Sequence, residues 1–72
     1  MGGPRVTLGE RLTLLRELLR RGRFGFDDAV KDADRVTVAV TLFALLELYK
    51  RGEASWDQDE PFAPITVRAA AS

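Results

Sequence analysis

Nucleophilic and acid–base chemistry would need side chains that this chain scarcely holds. It has no histidine and no cysteine, which removes the commonest general base, the commonest metal ligand and any thiolate. The only serines are Ser55 and Ser72, and neither has a His or Cys partner that could activate it. Asp57, Asp59 and Glu60 form an acidic cluster, but they lack the twelve-residue spacing of a calcium loop and read as a solvated turn. Gly22 and Gly25 do not form a phosphate cradle ahead of a helix. No catalysis, cofactor or metal is therefore expected. Arg16, Arg20, Arg21 and Arg23 offer cations for an anion, yet Glu17 interrupts them. Over the whole chain eleven basic and eleven acidic residues cancel, unlike a protein that lives on phosphate contacts.

What remains is apolar recognition, and it concentrates in Asp34 to Gly52, DRVTVAVTLFALLELYKRG. Asp34 is a good N-cap, while Lys50, Arg51 and Gly52 make a cationic last turn and a glycine stop. Val36, Val38 and Val40 alternate as a strand would, but the length and the caps predict a helix. At about 100° per residue, Val38, Leu42, Leu45, Leu46 and Tyr49 form one broad apolar face, expected to be the core side. Val36, Val40, Phe43 and Ala44 form a second face roughly opposite, broken only by Glu47 and Arg51. A helix apolar all round is normally buried on every side. A chain of 72 residues can hardly wrap one, so one face is expected to meet another protein.

The flanking segments supply the scaffold. Residues 1–6 read as a disordered lead-in, and 69–72 as a flexible tail. Thr7 with Glu10 makes a capping box, and Leu8, Leu12, Leu15 and Leu19 form an amphipathic stripe that ends at Gly22. Arg23 to Phe26 links to a short second helix capped by Asp27, with Ala29, Val30 and Ala33 inward. After Gly52 the pattern alternates: Ala54, Trp56 and Gln58 on one face, then Ile65 and Val67, around a turn that holds Pro61 and Pro64. Helix, short helix, long helix and hairpin is the order of a winged helix. The expected fold is therefore α+β, three helices followed by a two-stranded β-hairpin wing, with the domain spanning 7–68. Phe62 is expected to fold back against the junction of the third helix and the hairpin, near Trp56.

A winged helix often reads DNA with its third helix. Here that helix would present Val36, Thr37, Val40, Phe43, Ala44 and Glu47, where base readout favours Arg, Lys, Asn and Gln. A DNA-binding domain of a transcription regulator is the alternative; a protein-binding module is favoured, with no specific nucleic-acid contact. No apolar run approaches the roughly 20 residues of a membrane span, and the first ten residues hold no signal-peptide core, so a cytoplasmic setting is expected.

Several of these residues together resemble a known family. Val40 to Leu48 (VTLFALLEL), Lys50-Arg51-Gly52, Gln58 to Phe62 (QDEPF) and Ile65 resemble the C-terminal winged helix of the ScpA family, the bacterial kleisins. Phe26-Asp27-Asp28 stands where that family often has a Phe-Glu-Glu type segment, and eukaryotic kleisins share a Gln-Glu-Glu-Pro-Tyr stretch in the wing. The resemblance covers about residues 7–68. Two departures stand out: the usual Phe-Leu order is Leu42-Phe43 here, and Trp56 replaces a more typical aliphatic residue.

The resemblance implies a module that binds the cap of an SMC ATPase head and helps close the SMC–kleisin ring in chromosome condensation and segregation. It implies a nucleoid-associated setting, and a further partner, ScpB, bound through parts of the full-length protein that this chain lacks. The candidate partner-binding residues are Val36, Val40, Phe43, Leu46, Glu47 and Phe62.

Overall fold

The computed structural model describes residues 6–70. In chain order its elements are α1 (Leu8–Arg21), β1 (Phe24–Gly25), α2 (Phe26–Ala29), α3 (Arg35–Lys50), β2 (Ala54–Asp57) and β3 (Thr66–Ala69). The strands form one antiparallel sheet in the order β1-β3-β2. Three helices and a wing are thus present, as the sequence order leads one to expect.

Local chemistry explains the boundaries. Thr7 accepts from the Glu10 amide at 3.1 Å while the Glu10 carboxylate accepts from the Thr7 amide at 3.0 Å, so the capping box that opens α1 is complete. The Asp34 carboxylate accepts from the Thr37 amide at 2.7 Å and opens α3. That bond holds the Asp34 carboxyl below its ordinary range, because it favours the charged form. At the other end Gly52, with φ of 77°, donates to the Tyr49 carbonyl at 3.0 Å, and Glu53 donates to the Leu48 carbonyl at 2.8 Å. This pair of bonds is a Schellman stop, in which glycine takes the left-handed position without a Cβ penalty. It turns the chain straight into β2.

The core is small and dense. Leu15 of α1, Ala44, Leu45 and Leu48 of α3, Ala54 of β2 and Val67 of β3 are fully buried. Leu12, Leu19, Phe24, Phe26, Ala29, Trp56 and Ile65 pack around them. Trp56 faces Val67 across the β2–β3 ladder, so the inner face of the sheet lies against the helices. Arg16 of α1 grips Glu53 with two bonds, Nε to Oε1 at 2.8 Å and Nη2 to Oε2 at 2.9 Å. Its hydrogen bonding holds the Glu53 carboxyl below the usual range and fixes the first helix to the start of the wing.

Four expectations need correction. The linker at Arg23 to Phe26 contains β1, an added edge strand that pairs Phe24 with Val67 and Gly25 with Thr66. Two residues are too few to show any alternation. The second helix starts at Phe26 behind Gly25, a cap residue with no side chain to bond, and the Phe26 amide donates to the Ile65 carbonyl at 2.9 Å. Asp27 therefore lies within that helix and caps nothing. Gln58 falls beyond β2 and is exposed, its side-chain amide donating to the Ala63 carbonyl at 2.7 Å. Phe62 does not fold back: it is wholly exposed. The expected lead-in and tail lie mostly outside the described residues. Ala69 closes β3, and the Ala70 amide donates to the Glu53 carbonyl at 3.1 Å.

Candidate functional site: the outer face of the third helix

The side of α3 that turns inward is set by residues modest in size. Thr41, Ala44, Leu45 and Leu48 are buried, and they recur at the three- and four-residue spacing of one helical face. Ala44 lets the neighbouring elements approach closely. Thr41 is polar, but its hydroxyl donates to the Thr37 carbonyl at 2.6 Å and accepts from Arg11 Nε of α1 at 2.7 Å. Arg11 also donates to the Ala29 carbonyl at 3.0 Å, so one guanidinium ties α1 to both α2 and α3. No buried side-chain polar atom among the described residues lacks a partner. A satisfied polar group of this kind can sit in a core at little cost.

The opposite side is apolar and open. Val36 (66% exposed), Phe43 (64%), Tyr49 (54%), Leu42 and Leu46 stand on the surface, with Ala39 exposed between them. From Val36 to Tyr49 the stripe runs roughly 20 Å at 1.5 Å per residue. Tyr49 carries it on to the wing, since its ring lies 4.9 Å from that of Trp56 with the planes tilted by 50°. A contiguous apolar strip on a small domain marks a surface that another molecule covers.

Charge frames this strip. Arg35 and Lys50 are exposed at its two ends, roughly 22 Å apart by helix rise. Among the described residues Arg35 enters no ion pair, and Lys50 reaches Glu47 only at 3.9 Å. Glu47 also takes Arg51 Nε at 3.1 Å. Two copies packed antiparallel through this face would set Arg35 of one beside Lys50 of the other. Like charges at both ends disfavour such pairing and favour a partner with carboxylates there.

Of the six candidate partner residues, the structure brings Val36, Phe43 and Leu46 onto this one stripe. Val40 and Glu47 are half-buried along its edge, and Phe62 stands apart on the wing loop. Leu42 and Tyr49, expected in the core, lie outside it, and Leu46, placed on that same face but also among the candidate partner residues, stands on the open side; Ala44, expected on the partner side, is fully buried. The helix is rotated about a quarter turn from its expected setting. Grouping residues by apolarity alone could not find this, because both sides of α3 are apolar. The usable signals were the small Ala44 and the hydroxyl of Thr41, both suited to close packing against α1.

An open apolar stripe on the third helix, with cations only at its ends, gives this winged helix a surface suited to a protein partner. Between Arg35 and Lys50 that stripe holds no Arg, Asn or Gln, the side chains that pair with base edges by hydrogen bonds. No helix among the described residues is long and apolar enough to cross a membrane.

No protein-family model and no curated protein matches the chain. A solved structure does: a chain of the crystal structure of the SmcHead bound to the C-winged helix domain of ScpA is similar to it, at a TM-score of 0.66 and 26% identity. The similarity covers 89% of this chain and 93% of the other, so the two are of nearly one size, the size of the winged-helix domain. The likeness to the C-terminal winged helix of ScpA that the sequence suggests is borne out, over almost the whole chain.

Proposed function

We propose that this domain is a kleisin C-terminal winged-helix module that binds the cap of an SMC ATPase head and helps close the SMC–kleisin ring. The observation that carries this is the uncovered stripe Val36, Ala39, Leu42, Phe43, Leu46 and Tyr49 on α3. It is supported by the similarity to a domain whose structure was solved bound to an SMC head. In this role the module is an adaptor. It holds the head in place and leaves ATP chemistry to it, and a nucleoid-associated cytoplasmic setting follows from that role.

Docking would cover the stripe with apolar atoms, at about 25 cal/mol for each Å² removed from water. Phe43 and Leu46 lie at its centre, the position in which a few side chains carry most of the binding energy. Val36, Val40 and Glu47 would line one margin and Leu42 and Tyr49 the other. Glu47, held by Arg51 and close to Lys50, would stay at the wet edge, where a charge need not be desolvated. Arg35 and Lys50 would face carboxylates on the head and speed the encounter.

The test is direct. The domain mixed with a purified SMC head from the same organism should co-elute as a one-to-one complex. Failure to form any complex at tens of micromolar would overturn the reading. So would a sub-micromolar, sequence-selective complex with duplex DNA at physiological salt.

A further inference from the structure

One residue of the wing has a conformation and an exposure that the domain itself does not explain. Glu60 to Ala63 form a tight turn, closed by the Ala63 amide donating to the Glu60 carbonyl at 2.9 Å. Pro61 occupies its second position and Phe62 its third, with φ of 69°. Proline followed by a positive φ is the signature of a type II turn, whose third position suits glycine or asparagine. A bulky residue there is strained. The other non-glycine residue with positive φ among the described residues is Asp32, a type that tolerates this region.

Strain of this kind is normally offset by contacts, and Phe62 has none to offer: it is 101% exposed. The turn beneath it is nevertheless braced, because the Gln58 side-chain amide donates to the Ala63 carbonyl at 2.7 Å. The domain thus holds an aromatic ring out in water on a clamped turn, in a backbone conformation that glycine would occupy more comfortably. No described residue covers the ring.

The neighbours of the ring restrict what that is. Asp59 and Glu60 are exposed and enter no ion pair among the described residues, while Asp57 is held by Arg68 at 2.7 Å. Unpaired carboxylates repel nucleic acid and anionic membrane alike, so neither is a fitting receiver for the ring. A protein pocket with apolar walls and a cationic rim fits both the phenyl ring and its acidic collar.

We propose that Phe62 is a second anchor, separate from α3, that enters an apolar pocket rimmed by Lys or Arg on the same SMC head, a step that rests on the docking role set out above. The two anchors then have opposite polarity. The helix stripe ends in cations and asks for carboxylates, whereas the wing tip asks for cations. A head surface with that pattern admits the domain in one orientation only.

The test uses Phe62→Gly and the double variant Asp59→Lys/Glu60→Lys, each titrated with the purified SMC head and each followed by thermal melting. Phe62→Gly should melt at or above the temperature of the parent, because glycine relaxes the turn, while binding the head at least about tenfold more weakly. The double variant should melt as the parent does and bind more weakly, with its affinity less sensitive to the loss of attraction on adding salt. A lower melting temperature for Phe62→Gly would make the ring structural and overturn the anchor. Parent-like binding by Phe62→Gly would overturn it too, and would leave docking through α3 standing. If the parent itself forms no complex, docking fails as a whole and the wing anchor with it.

Discussion

The two sides of α3 are both apolar, yet one is sealed and the other open. The sealed side carries Thr41, Ala44, Leu45 and Leu48, a set that is compact and partly polar. The open side carries Phe43 and Tyr49, the bulkiest residues of the helix, together with Val36, Leu42 and Leu46. The fully buried layer between α1, α3 and the sheet holds leucine, alanine, valine and threonine, while the rings of Phe24, Phe26 and Trp56 pack at its margin. Hydrophobicity therefore does not decide which side is buried. Close packing decides it, together with one polar anchor, the bond from Arg11 to Thr41 at 2.7 Å.

The largest contrast between the sides should come from charge. Leu45→Arg puts an unpaired cation into the core and should abolish cooperative melting, seen by circular dichroism. Phe43→Arg, two residues away, should melt as the parent does. For a milder probe of the sealed side, Leu48→Ala should lower stability by about 2–5 kcal/mol in urea titrations. Next in size is the polar anchor. Thr41→Val removes the acceptor of Arg11 Nε and should cost about 1–3 kcal/mol, whereas Thr41→Ser should keep most of the stability. If Thr41→Val is neutral, the anchor does not set the rotation of the helix. Smaller again is the seam between the open side and the wing. Tyr49→Ala should lose about 0.5–1.5 kcal/mol through the ring contact with Trp56, detectable as a shift in the urea midpoint.

The smallest effect expected is that of pH. Glu53, Asp57 and Asp34 are all held below their ordinary values in the folded state, by Arg16, Arg68 and the Thr37 amide respectively. A carboxyl with a depressed folded value adds stability that is full above its unfolded value and is lost as pH falls through the folded one. The melting temperature should thus hold steady above about pH 5 and decline below about pH 4, the ordinary carboxylate range. Glu53→Gln should flatten part of that decline. A decline that is unchanged in this variant would show that the Arg16–Glu53 pair does not contribute to it.

Much of this fold was legible because it is written in end signals. Thr7 with Glu10, Asp34, Gly22 and Gly52 each mark a helix end by a specific backbone need, and each sits where the sequence places it. The hairpin was legible too, since Ala54, Trp56 and Val67 alternate into the core. The rotation of α3 was not, because no polar face marked its outside. Strand β1 was too short for a pattern, and its existence depends on pairing with β3, a partner some forty residues away. The position of Phe62 was hidden for a third reason. An aromatic residue near Pro61 reads as core, and nothing in its residue type announces a turn with positive φ and an exposed ring.

Docking through the open side of α3 can be broken by one titration: calorimetric binding of Phe43→Arg to the purified SMC head, beside the parent. Phe43→Arg should keep the parental melting temperature and lose at least about 2 kcal/mol of binding, roughly thirtyfold in Kd. A folded Phe43→Arg that binds the head with parental affinity would rule out docking through this side of the helix.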